Sequence, residues 1–393
     1  MSAAKPSIYP DTNAPFSFQI NATDGAARAA RVTTAHGVVE TPGFMVVGTL
    51  GAPKGLTPAQ LREHGAQILL MNALHLAWRP GEQLVKELGG LHRFSGWDGP
   101  ILTDSGGFQI FSLPGLRRVT EEGAAFASPV TGDVRLFTPE AVVELEHALG
   151  PDLIMPLDQC PPQPCTPGEL GEAVERSIRW AARCAKRHRE LATPGVELFG
   201  IIQGACDEGL RRRSLEGTCA LEFAGFALGG FCVGEPLEAT RAGVAFTAPL
   251  LPVGKPRYLM GMGTPPDLLF AVAQGLDLFD CTLPTRNGRN ATLFTSQGVL
   301  RVRNAQFARD GRPVDEGCRC YACRHFSRAF LRHLFLAREM NAAILSSLHN
   351  VAFYLTLMQG IREAIQAGRF EAFRKGFLER YASDAWEAGQ AEE

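Results

Sequence analysis

Eight short apolar runs are spread along this chain, and at or just past the end of each stands Asp, Asn, Gln or Gly. They occupy residues 43–47, 67–71, 100–103, 153–157, 198–202, 225–228, 258–260 and 276–279. Strands buried on both faces read as continuous apolar runs, whereas half-exposed strands alternate. Five runs are followed by a polar residue: Asn72, Asp104, Asp158, Gln203 and Asp280. In a closed parallel barrel the strand C-terminal ends share one rim, so these five side chains would meet there.

Between the runs lie helix-start signals. Thr57-Pro58-Ala59-Gln60 and Thr166-Pro167-Gly168-Glu169 each offer an N-cap hydroxyl, a proline at the first helical position and an amide or carboxylate at the third. Thr138-Pro139 and Thr264-Pro265 are further starts, and Leu170, Val174 and Ile178 recur at helical spacing. Eight strands separated by helices predict an α/β chain folded as a (β/α)8 barrel. An open doubly wound sheet would carry a phosphate-binding glycine fingerprint, and Gly261-Met262-Gly263 is only a fragment of one. Phe16, Phe18 and Ile20 alternate with polar residues before a Thr23-Asp24-Gly25 turn, which predicts a β prelude capping the barrel. The expected layout is a cap over 1–42, barrel over 43–286 and 340–393, and an inserted subdomain over 287–349.

Composition bounds the class. With 393 residues, 45% hydrophobic and 20% charged, the chain has the makeup of a soluble globular protein. No apolar stretch of spanning length occurs and the first 22 residues do not resemble a secretion signal, so a cytoplasmic location with reduced thiols is expected for the ten cysteines. The formal net charge is −2, yet residues 286–338 hold eleven arginines and no lysine against Asp310, Asp315 and Glu316. Such an excess suits a phosphate backbone; a solvated charged face is the other reading.

Inside that segment Cys318, Cys320 and Cys323 form C-x-C-x2-C, and His349 lies 26 residues beyond the last of them. Three thiolates and an imidazole make a closed tetrahedral zinc site, structural and without a position for activated water. His325 and His333 are alternative fourth ligands. Asp104 and Asp280, on the same rim, are the pair required for retaining substitution at a sugar carbon, one attacking and the other moving protons. A lone strand-end Asp also serves as a helix N-cap or an arginine partner.

Taken together, 103-TDSGGFQ-109, 199-FGIIQG-204, Gly229-Gly230 with Val233-Gly234-Glu235, Phe279-Asp280-Cys281 with 283-LPTR-286, and the C-x-C-x2-C with His349 resemble bacterial tRNA-guanine transglycosylase over nearly the whole chain. The resemblance implies a zinc-containing homodimer that exchanges guanine at the wobble position of tRNAs with a G-U-N anticodon. The incoming base is 7-aminomethyl-7-deazaguanine (preQ1), the queuosine precursor. It further implies that Asp280 attacks the ribose C1′, with Asp104 as general acid and base oriented by Asn72. Asp158 would accept from the base's ring N–H and amino group, Gln203 and the Gly230 N–H would donate to its carbonyl, and Phe108 and Met260 would sandwich it. Ser105, Cys160, Phe231, Val233 and Glu235 line the same pocket in this reading, and Arg286 and Arg289 meet tRNA phosphates. Extrusion of the base from an unpaired loop is comparatively cheap.

The chain departs from the family at Gln159, where Glu is usual, and at Phe231-Cys232, where Leu-Ala is common. Phe231 is expected to add bulk beside the pocket and to alter the preferred base substituent. At 393 residues, the chain is not expected to carry the archaeal form's extra C-terminal RNA-binding domain. A noncatalytic partner subunit would lack a catalytic carboxylate, and a zinc hydrolase would need strand-end histidines, of which His75 is the nearest. A DNA-modifying relative stays open, because phosphate contacts do not identify the sugar.

Overall fold

The computed structural model describes residues 15–112, 116–128, 131–161 and 164–381; the first fourteen residues of the expected cap lie outside that range. Three strands come first, β1 (Ser17–Asp24), β2 (Ala27–Thr34) and β3 (Gly37–Thr41), in one antiparallel sheet. The barrel opens with β4 (Gly43–Val47), β5 (Leu69–Asn72) and β6 (Ile101–Asp104). A second three-stranded antiparallel sheet follows, β7 (Leu116–Val119), β8 (Ala124–Ala127) and β9 (Val134–Phe137). The barrel resumes with β10 (Leu153–Ile154), β11 (Glu197–Ile202), β12 (Gly225–Leu228), β13 (Arg257–Leu259) and β14 (Leu278–Cys281), and β14 pairs in parallel with β4 to close it. The protein is therefore a (β/α)8 barrel, and each expected apolar run supplies one of its strands.

All four threonine-proline starts begin helices with the threonine side chain as N-cap, at Pro58–Glu63, Pro139–Leu149, Pro167–Leu191 and Pro265–Ala273. The two with Gln or Glu at the third position form full capping boxes. Inside the barrel, Met45, Leu70, Leu102, Leu153, Met155, Phe199, Ile201, Ala227, Tyr258 and Leu278 form one core. Val32 and Val39 of the first sheet join it, with Phe16 and Phe18 packed against it. The prelude thus plugs the end of the barrel opposite the strand C-termini.

Beyond β14 the chain forms the hairpin of β15 (Thr292–Thr295) and β16 (Gly298–Arg301), short helices at Tyr321–His325 and Arg328–Leu336, and a core of its own. The long helix Met340–Gln366 runs from the expected insertion into the barrel. Its first turns bury Ala342 and Leu345 in the insertion's core, so they are apolar toward a different partner than the barrel. Further along, the Tyr354 ring lies tilted against Phe44 with centroids 4.9 Å apart, and its hydroxyl donates to the Gly263 carbonyl at 2.6 Å. A separate helix, Phe370–Tyr381, follows it. No helix among the described residues is long and apolar enough to cross a membrane.

Candidate active site

The five polar strand ends converge as the topology requires. Asn72 closes β5 and caps the helix Ala73–Trp78: its Oδ1 accepts from the His75 backbone N–H at 3.0 Å and meets His75 Nδ1 at 2.8 Å. That contact fixes the amide orientation, leaving Nδ2 to donate to Asp104 Oδ2 at 3.0 Å. Burial and Lys54 hold the His75 imidazole below its usual pKa. The histidine therefore supports Asn72 from behind and belongs to neither metal-ligand cluster found among the described residues.

Asp280, at the end of β14, accepts on Oδ1 from Tyr258 OH at 2.6 Å and from the Gly261 N–H at 2.9 Å. Sequence reading missed Tyr258 as a functional group, although its place two residues before Met260 on one strand face was a usable signal. Burial raises the Asp280 pKa, and these two donors pull it back down. Asp104 is pushed up to about 7, first by burial and then by the nearby carboxylates of Asp158 and Asp280. The three acids therefore share one electrostatic pocket, with Asp104 poised to hold or release a proton near neutrality.

Asp158, raised to about 6 mainly by burial, accepts from Gln203 Nε2 at 2.5 Å. Glycines make room for this pair. A Cβ on Gly107 would lie 2.1 Å from Asp158 Oδ1, and one on Gly230, at φ +69°, 2.4 Å from Gln203 Oε1. The glycines after β6 and β12 are thus required by close approach. Ser105 is buried, its Oγ accepting from the Gly107 N–H at 3.3 Å, and Cys160 is buried beside Asp158. Phe108 is 45% exposed and Met260 half-buried, both at the rim.

In the loop after β12, Glu235 accepts from the Cys232 and Val233 N–H groups at 2.6 and 2.9 Å and from Thr240 Oγ1 at 2.5 Å. Cys232 there has φ +58°, a conformation rare outside glycine. Phe231 is buried, but its ring lies against Arg211 and Gly243 in the layer between barrel and helices. Its bulk points behind the loop, away from where the sequence suggested. Arg286 and Arg289, on the helix Leu283–Arg289 immediately after Asp280, are exposed and form no ion pair among the described residues.

The Sγ atoms of Cys318, Cys320 and Cys323 and a nitrogen of His349 lie within 4.8 Å of one another. His349 Nδ1 is 3.6 Å from Cys320 Sγ and 3.3 Å from Cys323 Sγ, close to the edge of about 3.6 Å expected between S and N donors of tetrahedral zinc. Its Nε2 is 2.7 Å from the Phe294 carbonyl, which places the proton there and frees Nδ1 to coordinate. His325 and His333 take no part, packing instead near Tyr321, Phe326 and Phe330. The donor set fits a structural zinc.

Fold and site together define a barrel enzyme with coupled carboxylates on its C-terminal rim and a separate insertion whose three cysteines and histidine could hold a metal ion. The family model for queuine tRNA-ribosyltransferase matches residues 23–383. Proteins of that name from Nitrosospira multiformis and Solidesulfovibrio magneticus are each 51% identical, over 366 and 362 residues; these cover 93% and 92% of this chain and 100% and 97% of theirs. One from Symbiobacterium thermophilum is 50% identical over 368 residues, 93% of this chain and 90% of its own. The chain belongs to the queuine tRNA-ribosyltransferase family.

Proposed function

We propose that this protein is a tRNA-guanine transglycosylase that replaces guanine at the wobble position of tRNAs bearing G-U-N with preQ1, by double displacement. The observation that carries the reading is the coupling of Asp104 and Asp280 in one buried pocket of a chain in this family. Asp280 attacks C1′, the C1′–N9 bond breaks, and its electron pair leaves with guanine, which takes a proton from Asp104. Asp104, now a carboxylate, removes the N9 proton of the incoming base, whose N9 attacks C1′ and releases Asp280. One N-glycosidic bond replaces another, so no nucleotide hydrolysis is needed. Both hydrogen bonds on Asp280 fall on Oδ1, which supports Oδ2 as the attacking atom.

Asp158 accepts from the base's ring N–H and amino group, while Gln203 and the Gly230 N–H donate to its carbonyl. Phe108 and Met260 hold the ring, with Ser105, Cys160, Val233 and Glu235 around it. Arg286 and Arg289 bind tRNA phosphates. Cys318, Cys320, Cys323 and His349 would hold one zinc, which supplies cross-linking of the insertion and no chemistry. The protein acts in the cytoplasm as a homodimer, as the family resemblance implies.

The test is incorporation of radiolabelled guanine into unmodified G-U-N tRNA by purified protein. Labelling that is absent for Asp280→Ala and competed by preQ1 is expected. Labelling of duplex DNA in preference to tRNA would overturn the reading.

A further inference from the structure

Arg211 lies on the helix Glu208–Cys219, behind the pocket, and its side chain is fully buried. A buried guanidinium ordinarily has a carboxylate partner. Here, among the described residues, its partners are two carbonyls and a ring. Nε donates to the Ala205 carbonyl at 2.7 Å, Nη1 to that of Ile202 at 2.9 Å, and Cζ lies 3.7 Å from the centroid of Phe231. Nη2 has no hydrogen-bond partner among the described residues. Burial lowers the pKa to about 9, which leaves the group charged at neutral pH.

These contacts bracket the two base-reading donors. Ile202 and Ala205 flank Gln203 at the end of β11, and Phe231 follows Gly230 after β12. The intervening Gly204, at φ +130°, passes so close that an added Cβ would sit 2.8 Å from the Arg211 backbone nitrogen. The Phe231 ring also lies close against Gly243, where a Cβ would be 2.6 Å away. One cation thus ties the tips of two neighbouring strands, and Gln203 already touches both glycines of the second tip.

We infer that Arg211 and Phe231 form a positioning pair that sets the spacing between Gln203 and Gly230, so that the aromatic residue at 231 tunes affinity for the free base from behind the pocket. This rests on the proposed transglycosylase activity for its kinetic consequence but not for its structural one. Neither residue touches the reacting atoms.

Two measurements test it on the purified full chain. In guanine exchange, Phe231→Ala raises KM for guanine by about thirtyfold, the size of a desolvated cation–π contact, with KM for tRNA near the wild-type value. Arg211→Lys, which keeps the charge but loses the fork, falls between wild type and Phe231→Ala. In hydrogen exchange, which needs no activity, Phe231→Ala loosens the amides of 203–205 as well as 229–233. An unaltered KM for guanine, or equal losses toward guanine and tRNA, would overturn the kinetic claim. Loosening confined to 229–233 would overturn the coupling, and it would do so even in a protein whose wild type exchanges no guanine.

Discussion

At Asp280 two donors crowd one carboxylate oxygen, and the stronger candidate for tuning is Tyr258 because its side chain is buried whereas Gly261 lies at the exposed rim. Removing that donor by Tyr258→Phe raises the Asp280 pKa, so the acid limb of the pH–rate profile moves to higher pH and kcat falls about tenfold. Stopped-time guanine exchange across pH 5–9 reads both. At Asp104 the sign of the pH effect on stability is opposite to that of an ordinary salt-bridged acid. Its folded pKa, about 7, lies above the usual carboxylate value, so its contribution is full below about pH 4 and is lost as pH rises through 7. Asp104→Asn removes a charge from the three-carboxylate pocket. It abolishes exchange yet stabilises the fold by about 1–2 kcal/mol at pH 8, an advantage that vanishes near pH 4; urea midpoints at the two pH values measure the difference.

Among the elements, the cap is fastened to the barrel floor by a three-residue clasp. Asp152, just before β10, receives His36 of the cap's β2–β3 turn and His92 of the helix Gly90–Ser95 on opposite oxygens, at 2.9 and 3.0 Å, with the two rings stacked at 3.6 Å. Those bonds outweigh burial and hold the Asp152 pKa far below the carboxylate range. Its stabilisation is therefore present above about pH 4 and declines as pH falls further. Asp152→Asn lowers stability by about 2 kcal/mol at pH 7, with the loss shrinking in acid, and exposes the β1–β3 segment first to limited proteolysis. The barrel strands and capped helices were legible because burial on both faces and threonine-proline caps each leave a local imprint. The sheet of β7, β8 and β9 left none: its strands are four residues long, and β9 exposes Val134 and Leu136 rather than alternating apolar inward. Rim acids were legible from their places after apolar runs. Tyr258 was passed over despite its register with Met260 because a tyrosine inside an apolar run reads as core, and Arg211 because an arginine on a polar helix reads as exposed.

On the scale of the whole molecule, the cysteine–histidine cluster and the barrel share the helix Met340–Gln366. His349 faces the three cysteines, Asn350 accepts from the Phe294 N–H at 3.0 Å and donates to the Pro284 carbonyl at 2.9 Å, and Arg362 reaches the Pro42 carbonyl at 2.8 Å. Cys320→Ser is accordingly expected to lose the metal, measured by elemental analysis, and to lower the melting temperature of the entire chain. Stoichiometric metal in that variant would refute the ligand set. Phosphate binding by Arg286 and Arg289 predicts that the double Gln variant weakens tRNA binding and flattens the slope of log K against log salt by about 1–2, while KM for guanine stays constant. The shared helix also orders events during synthesis. Strand β4 is made early and β14 much later, and their pairing closes the barrel at a seam where Tyr354, from beyond residue 340, packs against Phe44. A nascent chain still short of that point holds every rim acid but lacks the aromatic cover that Tyr354 gives Phe44, so a chain terminated there is expected to be cut by proteases faster than the full protein.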